Sequence, residues 1–265
     1  MSRFTGKVIV ITGATSGIGK ALAVQIAGSD VRLVLASRRL HELKEVQEMC
    51  HQKGANCSIL ELDVADENSI SKFAEGLRNK FDHVDILINN AGISQRSFAE
   101  QTAVDVDRKI MEVNFFGPVN LTKSLWPLLI KSSHANIVLV SSVTGSFGFP
   151  LRSAYAASKH AIEGFFESWL LENTRPNIYF TTISPGRIQT NISLSALTAD
   201  GSAHRKMDDG LAKGISADVC AAKIINGILQ NKRKVYIANN EMILVFLRKC
   251  FPSLFFRIAK KIKPN

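Results

Sequence analysis

A short run of β-branched residues at positions 7–12 (KVIVIT) leads directly into a glycine-rich turn, TGATSGIG at 12–19. Such a run is typical of a strand buried on both faces, and the residues after the turn have apolar side chains at helical spacing. A glycine-rich turn between a buried strand and a helix predicts a dinucleotide site, with the helix N–H groups directed at a phosphate. The predicted contacts are Gly13, Thr15, Ser16, Gly17, Ile18 and Gly19.

The second predicted strand, at 31–36, ends in Ser37-Arg38-Arg39. An NAD-binding chain usually carries an acidic residue here for the ribose 2′-hydroxyl, whereas an arginine suits a 2′-phosphate. No acid occurs at this point, and Arg38 can bind phosphate oxygens in a forked geometry while Ser37 donates through its hydroxyl. The sequence therefore predicts NADP(H) in preference to NAD(H); the alternative is a solvated, basic helix start.

Strand and helix patterns alternate along the rest of the chain. Further strands are predicted at 57–62, 84–88, 137–141, 178–184 and 234–238, and helices at 40–54, 67–80, 102–131, 155–174 and 216–230. Such alternation predicts an α/β protein: a single-domain Rossmann fold whose doubly wound, seven-stranded parallel sheet has helices on both faces. We assign this domain to residues 1–240, with a mobile substrate lid at about 187–215, and treat 241–265 as a basic, apolar tail.

Polar and small residues follow several predicted strands at their carboxyl ends, where ligands lie in parallel sheets. Asp63 can reach an adenine pocket or belong to the N-terminal cap of the next helix, and these roles are compatible. The NNAG segment at 89–92 allows close backbone approach to a cofactor while its amides bridge neighbouring strands. The predicted cofactor contacts at these strand ends are Asp63, Val64, Asn90, Ala91, Gly92, Pro185, Gly186, Ile188 and Thr190.

Asn114 lies in the middle of an apolar face of the helix predicted at 102–131. An asparagine there is a poor helix former, and its amide must be satisfied. It is either a buried structural amide or the holder of a water in a proton path. The spacing alone does not choose between these roles.

Ser142 ends the fifth predicted strand, and Tyr155 and Lys159 follow it at the start of a helix. A spacing of four places Tyr155 and Lys159 on one helix face, where the ammonium would favour the phenolate and lower the phenol pKa from about 10. A tyrosine so tuned can give a proton to a carbonyl oxygen or take one from an alcohol. Taken alone, this spacing also describes an ordinary surface pair.

The net charge of +10 is concentrated in the last thirty-five residues, which carry nine basic side chains against one acidic one. The nearly neutral remainder argues against a nucleic-acid-binding face. No stretch of the tail approaches the roughly 20 apolar residues of a transmembrane helix. Its basic and aromatic character suits a helix lying in an anionic membrane surface; packing on a partner subunit and disorder are the alternatives.

The hydrophobic fraction of 46% and charged fraction of 21% indicate a globular protein with a sizeable core. The four cysteines show no metal-ligand spacing, and the N-terminus has no signal-peptide pattern. We therefore expect no metal site, reduced cysteines and a cytoplasmic location. The cysteines are Cys50, Cys57, Cys220 and Cys250.

Together the motifs resemble the classical short-chain dehydrogenase/reductases. The resemblance covers roughly residues 6–238 and rests on TGATSGIG at 12–19, Asp63, NNAG at 89–92, Asn114, Ser142, YAASK at 155–159 and PG…T at 185–190. It implies an NADP(H)-dependent oxidoreductase that interconverts a carbonyl and a secondary alcohol, acts on a small molecule and forms a homodimer or homotetramer. The tail looks like that of membrane-associated hydroxysteroid dehydrogenases of this family.

The resemblance also implies roles for individual residues. Tyr155 would be the general acid/base, and Ser142 would orient the substrate oxygen. Lys159 would lower the tyrosine pKa and bind the nicotinamide ribose, while Asn114 would hold a water that relays protons to it. The turn lacks the basic residue that some NADP(H)-dependent members place there, so the cofactor preference depends mainly on Arg38.

Apolar residues around the predicted pocket indicate a hydrophobic alcohol or ketone as substrate: Phe147, Phe149, Leu151, Ile192, Leu194 and Leu197. The aromatic residues of the two helices that carry Asn114 and Tyr155 would provide apolar surface for subunit contacts: Phe115, Phe116, Trp126, Phe165, Phe166 and Trp169. A competing hypothesis is a cofactor-binding scaffold or sensor without turnover. Such a protein would be expected to have lost Ser142, Tyr155 or Lys159, and all three are present.

Overall fold

The structure, a computed structural model, describes residues 4–262. Its nine strands are β1 Val8–Thr12, β2 Arg32–Ser37, β3 Asn56–Glu61, β4 Ile86–Asn89, β5 Ala135–Val140, β6 Ile178–Pro185, β7 Ile188–Gln189, β8 Ile215–Ser216 and β9 Lys234–Ile237. Seven of them form one parallel sheet in the order β3-β2-β1-β4-β5-β6-β9. The predicted seven-stranded sheet is therefore confirmed.

Helices cover both faces of the sheet. They are α1 Gly17–Ile26, α2 Leu40–His51, α3 Glu67–Lys80, α4 Val104–Met111, α5 Gly117–Leu129, α6 Ser153–Glu172, α7 Asp209–Ala212, α8 Ala217–Leu229, α9 Glu241–Cys250 and α10 Pro252–Ala259. Apolar side chains of α1, α2 and α8 form the core on one face, and those of α3, α5 and α6 form the core on the other. This is the doubly wound, single-domain Rossmann arrangement.

The burial of β1 explains the unbroken apolar run in the sequence. Val8 and Val10 belong to the core on the α3, α5 and α6 side, whereas Ile9 and Ile11 belong to the core on the opposite side. All four are fully buried. Because successive side chains of a strand point to opposite faces, a strand covered by helices on both faces must be apolar at every position.

The strand order reverses direction beside β1, which lies between β2 and β4. At such a switch point the loops after neighbouring strands diverge to opposite faces and leave a crevice at the carboxyl edge of the sheet. The glycine-rich turn follows β1, and the NNAG segment follows β4. The fold thus places the two motifs on either side of one crevice.

The continuous helix predicted at 102–131 is wrong in one respect. α4 and α5 are separated by a π-helical segment, Glu112–Phe116, that contains Asn114. The Asn114 amide bonds to the backbone of Ile93 instead of facing solvent. Single π-turns of this kind accommodate an extra residue in a helix and often occur at functional sites.

The aromatic residues of α5 and α6 pack mainly on one another. Trp169 lies 5.1 Å from Trp126 and 5.9 Å from Phe165, measured between ring centroids. Phe166, which we expected at a subunit surface, is instead 2% exposed and packs against Phe180 of β6. Phe116 is 44% exposed. Only part of the predicted aromatic surface is therefore available to another molecule.

The segment predicted as a lid is largely irregular but is connected to the core. β7 pairs with β8, and Leu197 forms isolated bridges with Gln95 and Ala203.

Among residues 4–262, no helix combines the length and hydropathy needed to cross a bilayer.

Candidate active site

The turn after β1 and the segment after β4 are joined by hydrogen bonds. Thr12 Oγ1 accepts from the backbone N–H groups of Asn90 and Ala91, both at 3.0 Å. The Asn90 amide donates to the carbonyl oxygens of Thr12 and Gly13 at 2.9 and 3.1 Å. A Cβ atom on Gly13 would lie 2.9 Å from Ala91 Cα. A side chain at Gly13 would therefore force the two segments apart.

The start of α1 has the features of a phosphate site. Ser16, the N-cap residue, makes no side-chain cap hydrogen bond, so no protein side chain occupies the first N–H groups of the helix at that position. Ser16, Gly17 and Ile18 line a cavity at this point. Gly17 has a φ of +53°, and a Cβ there would lie 2.9 Å from the methyl carbon of Thr190. Free helix N–H groups and a glycine that lets the backbone approach closely fit the pyrophosphate of a dinucleotide.

Both arginines after β2, Arg38 and Arg39, line this cavity near Asp63 and Thr15. Arg38 lies 3.8 Å from the Asp63 carboxylate, and Arg39 donates through Nη2 to Thr15 Oγ1 at 3.0 Å. Arg39 also pairs with Glu42 at 2.9 Å. The sequence analysis singled out Arg38 and missed Arg39, although the two are adjacent in the same motif. The two adjacent arginines are the sequence pattern from which Arg39 could have been identified as a further candidate.

Asp63 and the helix cap are separate residues. Asp63 Oδ1 accepts from the backbone N–H of Ala65 at 3.0 Å, whereas Asp66 is the N-cap of α3 and accepts from the N–H of Asn68 at 2.9 Å. Asp63 and Val64 both line the cavity. Because Asp66 caps the helix, the Asp63 carboxylate remains free to contact a ligand and Arg38.

Asn114 is 1% exposed, and its amide is hydrogen-bonded on both sides. Its Oδ1 accepts from Ile93 N–H at 2.9 Å, and its Nδ2 donates to the Ile93 carbonyl at 2.9 Å and to Ser158 Oγ at 3.0 Å. A Cβ on Gly92 would lie 3.1 Å from Asn114 Oδ1 and 3.7 Å from Lys159 Nζ. These hydrogen bonds hold the Asn114 amide in place, and its part in a proton relay stays a prediction.

Ser142 and Tyr155 converge from the end of β5 and the first turn of α6. Both line the cavity, and a hydrogen bond from Ser142 favours the ionised phenol. Ser142 Oγ also accepts from the N–H of Thr144 at 3.2 Å. The serine is therefore held at the strand end with its hydroxyl beside that of the tyrosine.

The expected effect of Lys159 on the pKa of Tyr155 stays a prediction. Burial raises the pKa of the Tyr155 phenol above 10, and the opposing contributions come from Ser142, Arg152 and Arg96. Lys159 Nζ donates to the Val140 carbonyl at 3.0 Å and lies 5.7 Å from the centroid of the tyrosine ring. The ammonium is therefore directed at the backbone of β5. Burial also lowers the pKa of Lys159 to about 8.

A single cavity of about 790 Å³ brings most of the predicted site together. Ser142, Tyr155, Lys159 and the predicted cofactor contacts line it, except for Gly19, and Asn114 also lies outside it. Gly19 packs behind the turn against the Gly13 carbonyl. Of the predicted apolar lining, Phe147, Phe149, Ile192, Leu194 and Leu197 face the cavity and Leu151 does not.

Residues of the tail line one side of this cavity. Leu244 and Ile262 line it, and Phe255 of α10 is 2% exposed with its ring 5.6 Å from that of Phe147. Glu241 accepts from the Arg187 backbone N–H at 3.2 Å. The sequence analysis missed these contacts because they join segments that are far apart in the chain.

Gly186 lies against the chain that leads into the tail. A Cβ there would lie 2.8 Å from Ala238 Cβ and 3.1 Å from the Glu241 carboxyl carbon. The chain leading into the tail thus excludes a side chain at this position, independently of any approach to a nicotinamide. Gly186, Pro185 and Ile188 nevertheless line the cavity.

Within residues 4–262, no group of three or more His, Cys, Asp or Glu side chains could hold a metal ion. The same residues include all four cysteines, which are free; Cys250 is exposed and the other three are buried.

Comparisons with known proteins agree with this geometry. Residues 7–200 match the family model for short chain dehydrogenases. The chain is 42% identical over 265 residues to a Drosophila melanogaster dehydrogenase/reductase SDR family protein 7-like, covering 98% of this chain and 81% of the fly protein. It is 41% identical to dehydrogenase/reductase SDR family member 7B of Mus musculus, covering 95% and 79% of the two chains.

Two solved structures show the same fold at low sequence identity. A short chain dehydrogenase/reductase from Burkholderia phymatum in complex with NAD superposes with a TM-score of 0.84 at 24% identity, covering 96% of each chain. An alcohol dehydrogenase from Thermococcus sibiricus complexed with 5-hydroxy-NADP gives 0.75 at 23% identity, covering 88% of this chain and 96% of that one. Because the family model matches most of the length of this chain, the chain belongs to the short-chain dehydrogenase/reductase family.

Proposed function

We propose that this protein is an NADP(H)-dependent oxidoreductase that interconverts a carbonyl and a secondary alcohol on a hydrophobic small molecule. The observation that carries the proposal is the presence of Ser142, Tyr155 and Lys159 in the same cavity as the glycine-rich turn. That arrangement provides a proton donor, a partner for the substrate oxygen and a phosphate site within one enclosure.

The chain's own residues would bind the cofactor along this cavity. The first turn of α1 would hold the pyrophosphate, Asp63 and Val64 would contact the adenine, and Lys159 would bind the ribose next to the nicotinamide. A bound nicotinamide supplies or accepts the hydride, which is the redox part of the chemistry. Tyr155 would donate a proton to the carbonyl oxygen during reduction and accept it from the hydroxyl during oxidation, while Ser142 would orient that oxygen.

The preference for NADP(H) is supported by both arginines after β2. Arg38 and Arg39 line the adenosine end of the cavity, and the nearest carboxylates, Asp63 and Glu42, are each within ion-pair distance of one of them. Two guanidinium groups favour a charged 2′-phosphate over a neutral 2′-hydroxyl.

A hydrophobic substrate is supported by the lining of the other end of the cavity. Phe147, Phe149, Ile192 and Leu194 lie there together with Leu244 of the tail. These side chains would bury an apolar alcohol or ketone next to Tyr155 and Ser142.

Oxidation of NADPH with a panel of hydrophobic ketones tests the proposal. Tyr155→Phe is expected to abolish turnover while NADPH still binds, and Tyr236→Phe, a tyrosine outside the cavity, is the matched control. Full activity of Tyr155→Phe would contradict the acid/base role. A cofactor-binding sensor without turnover, the competing hypothesis, predicts NADPH binding but no oxidation with any ketone in the wild-type chain.

We further propose that residues 1–240 act as the catalytic domain of a cytoplasmic homodimer or homotetramer, with the tail as a peripheral membrane contact. Exposed apolar residues of α9 and α10 support the tail's role: Ile243, Phe246, Phe251, Leu254, Phe256 and Ile258. Basic residues at the ends of the same helices suit an anionic lipid surface. Flotation with anionic vesicles should carry the full chain and not residues 1–240; equal flotation of both would contradict the proposal.

A further inference from the structure

The linking segment, residues 185–188, connects the substrate side of the cavity with the glycine-rich turn. It begins beside Ser142, because β6 pairs with β5 and the Ser141 N–H donates to the Ile183 carbonyl at 2.8 Å. It leads to Thr190, whose methyl carbon would lie 2.9 Å from a Cβ on Gly17. All four of its residues line the cavity. In a dinucleotide bound with its phosphates at α1, the nicotinamide half would therefore run along this segment toward Ser142.

Both backbone polar groups of Arg187 are bonded to residues that come later in the chain. Its N–H donates to Glu241 Oε1 at 3.2 Å, and its carbonyl oxygen accepts from the N–H of Ile215 at 2.9 Å. One residue earlier, the Gly186 N–H donates to the Ile237 carbonyl at 2.9 Å. The contacts with Ile215 and Ile237 belong to the β7–β8 and β6–β9 pairings. The contact with Glu241 comes from a side chain, so a substitution can remove it.

The Glu241 carboxylate is bonded through both of its oxygens. Oε1 accepts from the Arg187 N–H, and Oε2 accepts from the N–H of Asn239 at 3.0 Å. The Glu241 side chain is 16% exposed and lines the cavity. Its carboxyl carbon would lie 3.1 Å from a Cβ on Gly186, so no side chain could fit between them. The first residue of α9 therefore packs directly on the linking segment.

Capping of α9 accounts for only half of these contacts. Asn240, the N-cap residue, makes no side-chain cap hydrogen bond, and the bond from Asn239 to Glu241 satisfies one N–H at this helix start. An acidic side chain in the first turn is also favoured by the helix dipole. Neither effect requires Oε1 to bind Arg187, which lies fifty-four residues earlier in the chain. This second bond connects the tail to the cavity wall.

We propose that Glu241 is a positioning residue for the nicotinamide half of the cofactor and acts through the backbone of Arg187. The proposal rests on the proposed function, because it requires a dinucleotide bound with its phosphates at α1. By holding the Arg187 N–H, the carboxylate keeps the linking segment ordered before the cofactor binds, so that binding has less of the chain to order. The tail is then part of the cofactor site, in addition to any contact with a membrane.

Hydrogen exchange of the Arg187 amide in the cofactor-free, full-length protein tests the contact itself. Glu241→Ala is expected to speed this exchange about tenfold or more, as for the loss of a hydrogen bond to a charged group. Glu241→Gln keeps an oxygen that can accept from the Arg187 N–H and should give an intermediate rate. Glu167→Ala removes an exposed acid of α6 and should leave the rate unchanged. An Arg187 rate in Glu241→Ala equal to that of the wild type would overturn the proposal.

Calorimetric titration with NADPH and with 2′-phospho-ADP-ribose, which lacks the nicotinamide ring, separates positioning from capping. Glu241→Ala should weaken NADPH binding about fivefold, the cost of ordering the released segment, and leave the affinity of the ring-free fragment unchanged. Equal losses for both molecules, or no loss for either, would show that the carboxylate only caps α9 and would overturn the proposal. Glu241→Gln should recover part of the NADPH affinity.

Two controls keep the outcomes distinct. If Glu241→Ala does not fold by circular dichroism, Glu241→Gln decides the question: equal effects on NADPH and the fragment overturn the proposal. A wild type that prefers NAD(H) is tested in the same way with NADH and ADP-ribose. A wild type that binds a dinucleotide without turning over any ketone would refute the proposed oxidoreductase activity and leave the positioning result intact.

Discussion

Arg39 donates to Thr15 across the glycine-rich turn, with 3.0 Å between Nη2 and Oγ1. The second arginine after β2 thus lies over the phosphate turn, while the first lies near Asp63. Under the proposed preference for NADP(H), both guanidinium groups would bind the 2′-phosphate.

We therefore expect Arg39→Ala to weaken NADPH binding at least as much as Arg38→Ala does. Loss of a charged hydrogen bond costs about 1.5–3 kcal/mol, or roughly ten- to hundredfold in affinity. Binding is measured by NADPH and NADH fluorescence titration, with exposed Arg108→Ala as the control. An equal loss of NADPH and NADH affinity would show that Arg39 does not read the 2′-phosphate.

Asp208→Asn is expected to destabilise the fold and to release the lid. Arg96 and Arg152 donate to the buried Asp208 carboxylate at 3.0 and 2.9 Å, and the change leaves both arginines without it; breaking a buried ion pair in this way costs about 3–5 kcal/mol. Asp209→Asn removes the same charge from the next, exposed residue and should change stability by about 0.5 kcal/mol or less. Urea unfolding and proteolysis of the lid compare the two variants; equal effects would mean that the ion pairs of Asp208 do not hold the lid.

Lys159 should give the cofactor-free protein a characteristic pH dependence. Its pKa is about 8 in the folded protein against 10.5 unfolded, so between these values the unfolded chain binds more protons and stability rises with pH. Relative to Lys159→Met, the wild type should therefore gain up to about 3 kcal/mol from pH 8 to 10.5.

Urea unfolding at several pH values measures this difference in the free energy of unfolding. Lys206→Met, at an exposed position, is the control and should run parallel to the wild type. If Lys159→Met also runs parallel to the wild type, the ammonium is not desolvated in the fold.

Phe255 and Phe256 provide a matched pair for the packing of the tail. Phe255 is 2% exposed and lies against Phe147, whereas Phe256 is 53% exposed. Phe255→Ala should cost about 3 kcal/mol or more, as expected for a buried phenylalanine, and Phe256→Ala about 1 kcal/mol or less.

Hydrogen exchange of the backbone amides in α9 and α10 reports this loss locally. Faster exchange in Phe255→Ala alone is the expected result. Similar exchange in the two variants would mean that the tail does not depend on its contact with the loop around Phe147.

Much of the fold could be predicted because its determinants are local. A strand buried on both faces must be apolar at each position, and this made β1 recognisable from residues 7–12. The exception was the region around Asn114, where the predicted helix is interrupted by a π-turn. At that turn Asn114 Oδ1 accepts from the N–H of Ile93 and its Nδ2 donates to the Ile93 carbonyl, twenty-one residues away in the chain, and helical periodicity does not report such contacts.

The candidate site divides in the same way. Gly13, Ser142 and Tyr155 were identifiable because each belongs to a short motif at the end of a strand or start of a helix. Arg39 was missed within its motif, because the sequence does not show which of two adjacent arginines faces the glycine-rich turn. Their side-chain directions depend on the backbone conformation.

The sequence by itself determined the order of strands and helices, the phosphate turn and the pairing of a tyrosine with a lysine one turn later. Only the tertiary structure decided which groups the charged side chains of the site contact. Lys159 is one turn from the tyrosine on α6 but donates to the Val140 carbonyl of β5, and Arg96 donates to Asp208, 112 residues further along the chain. Electrostatic influence depends on distance and burial in space, and neither is encoded in local spacing.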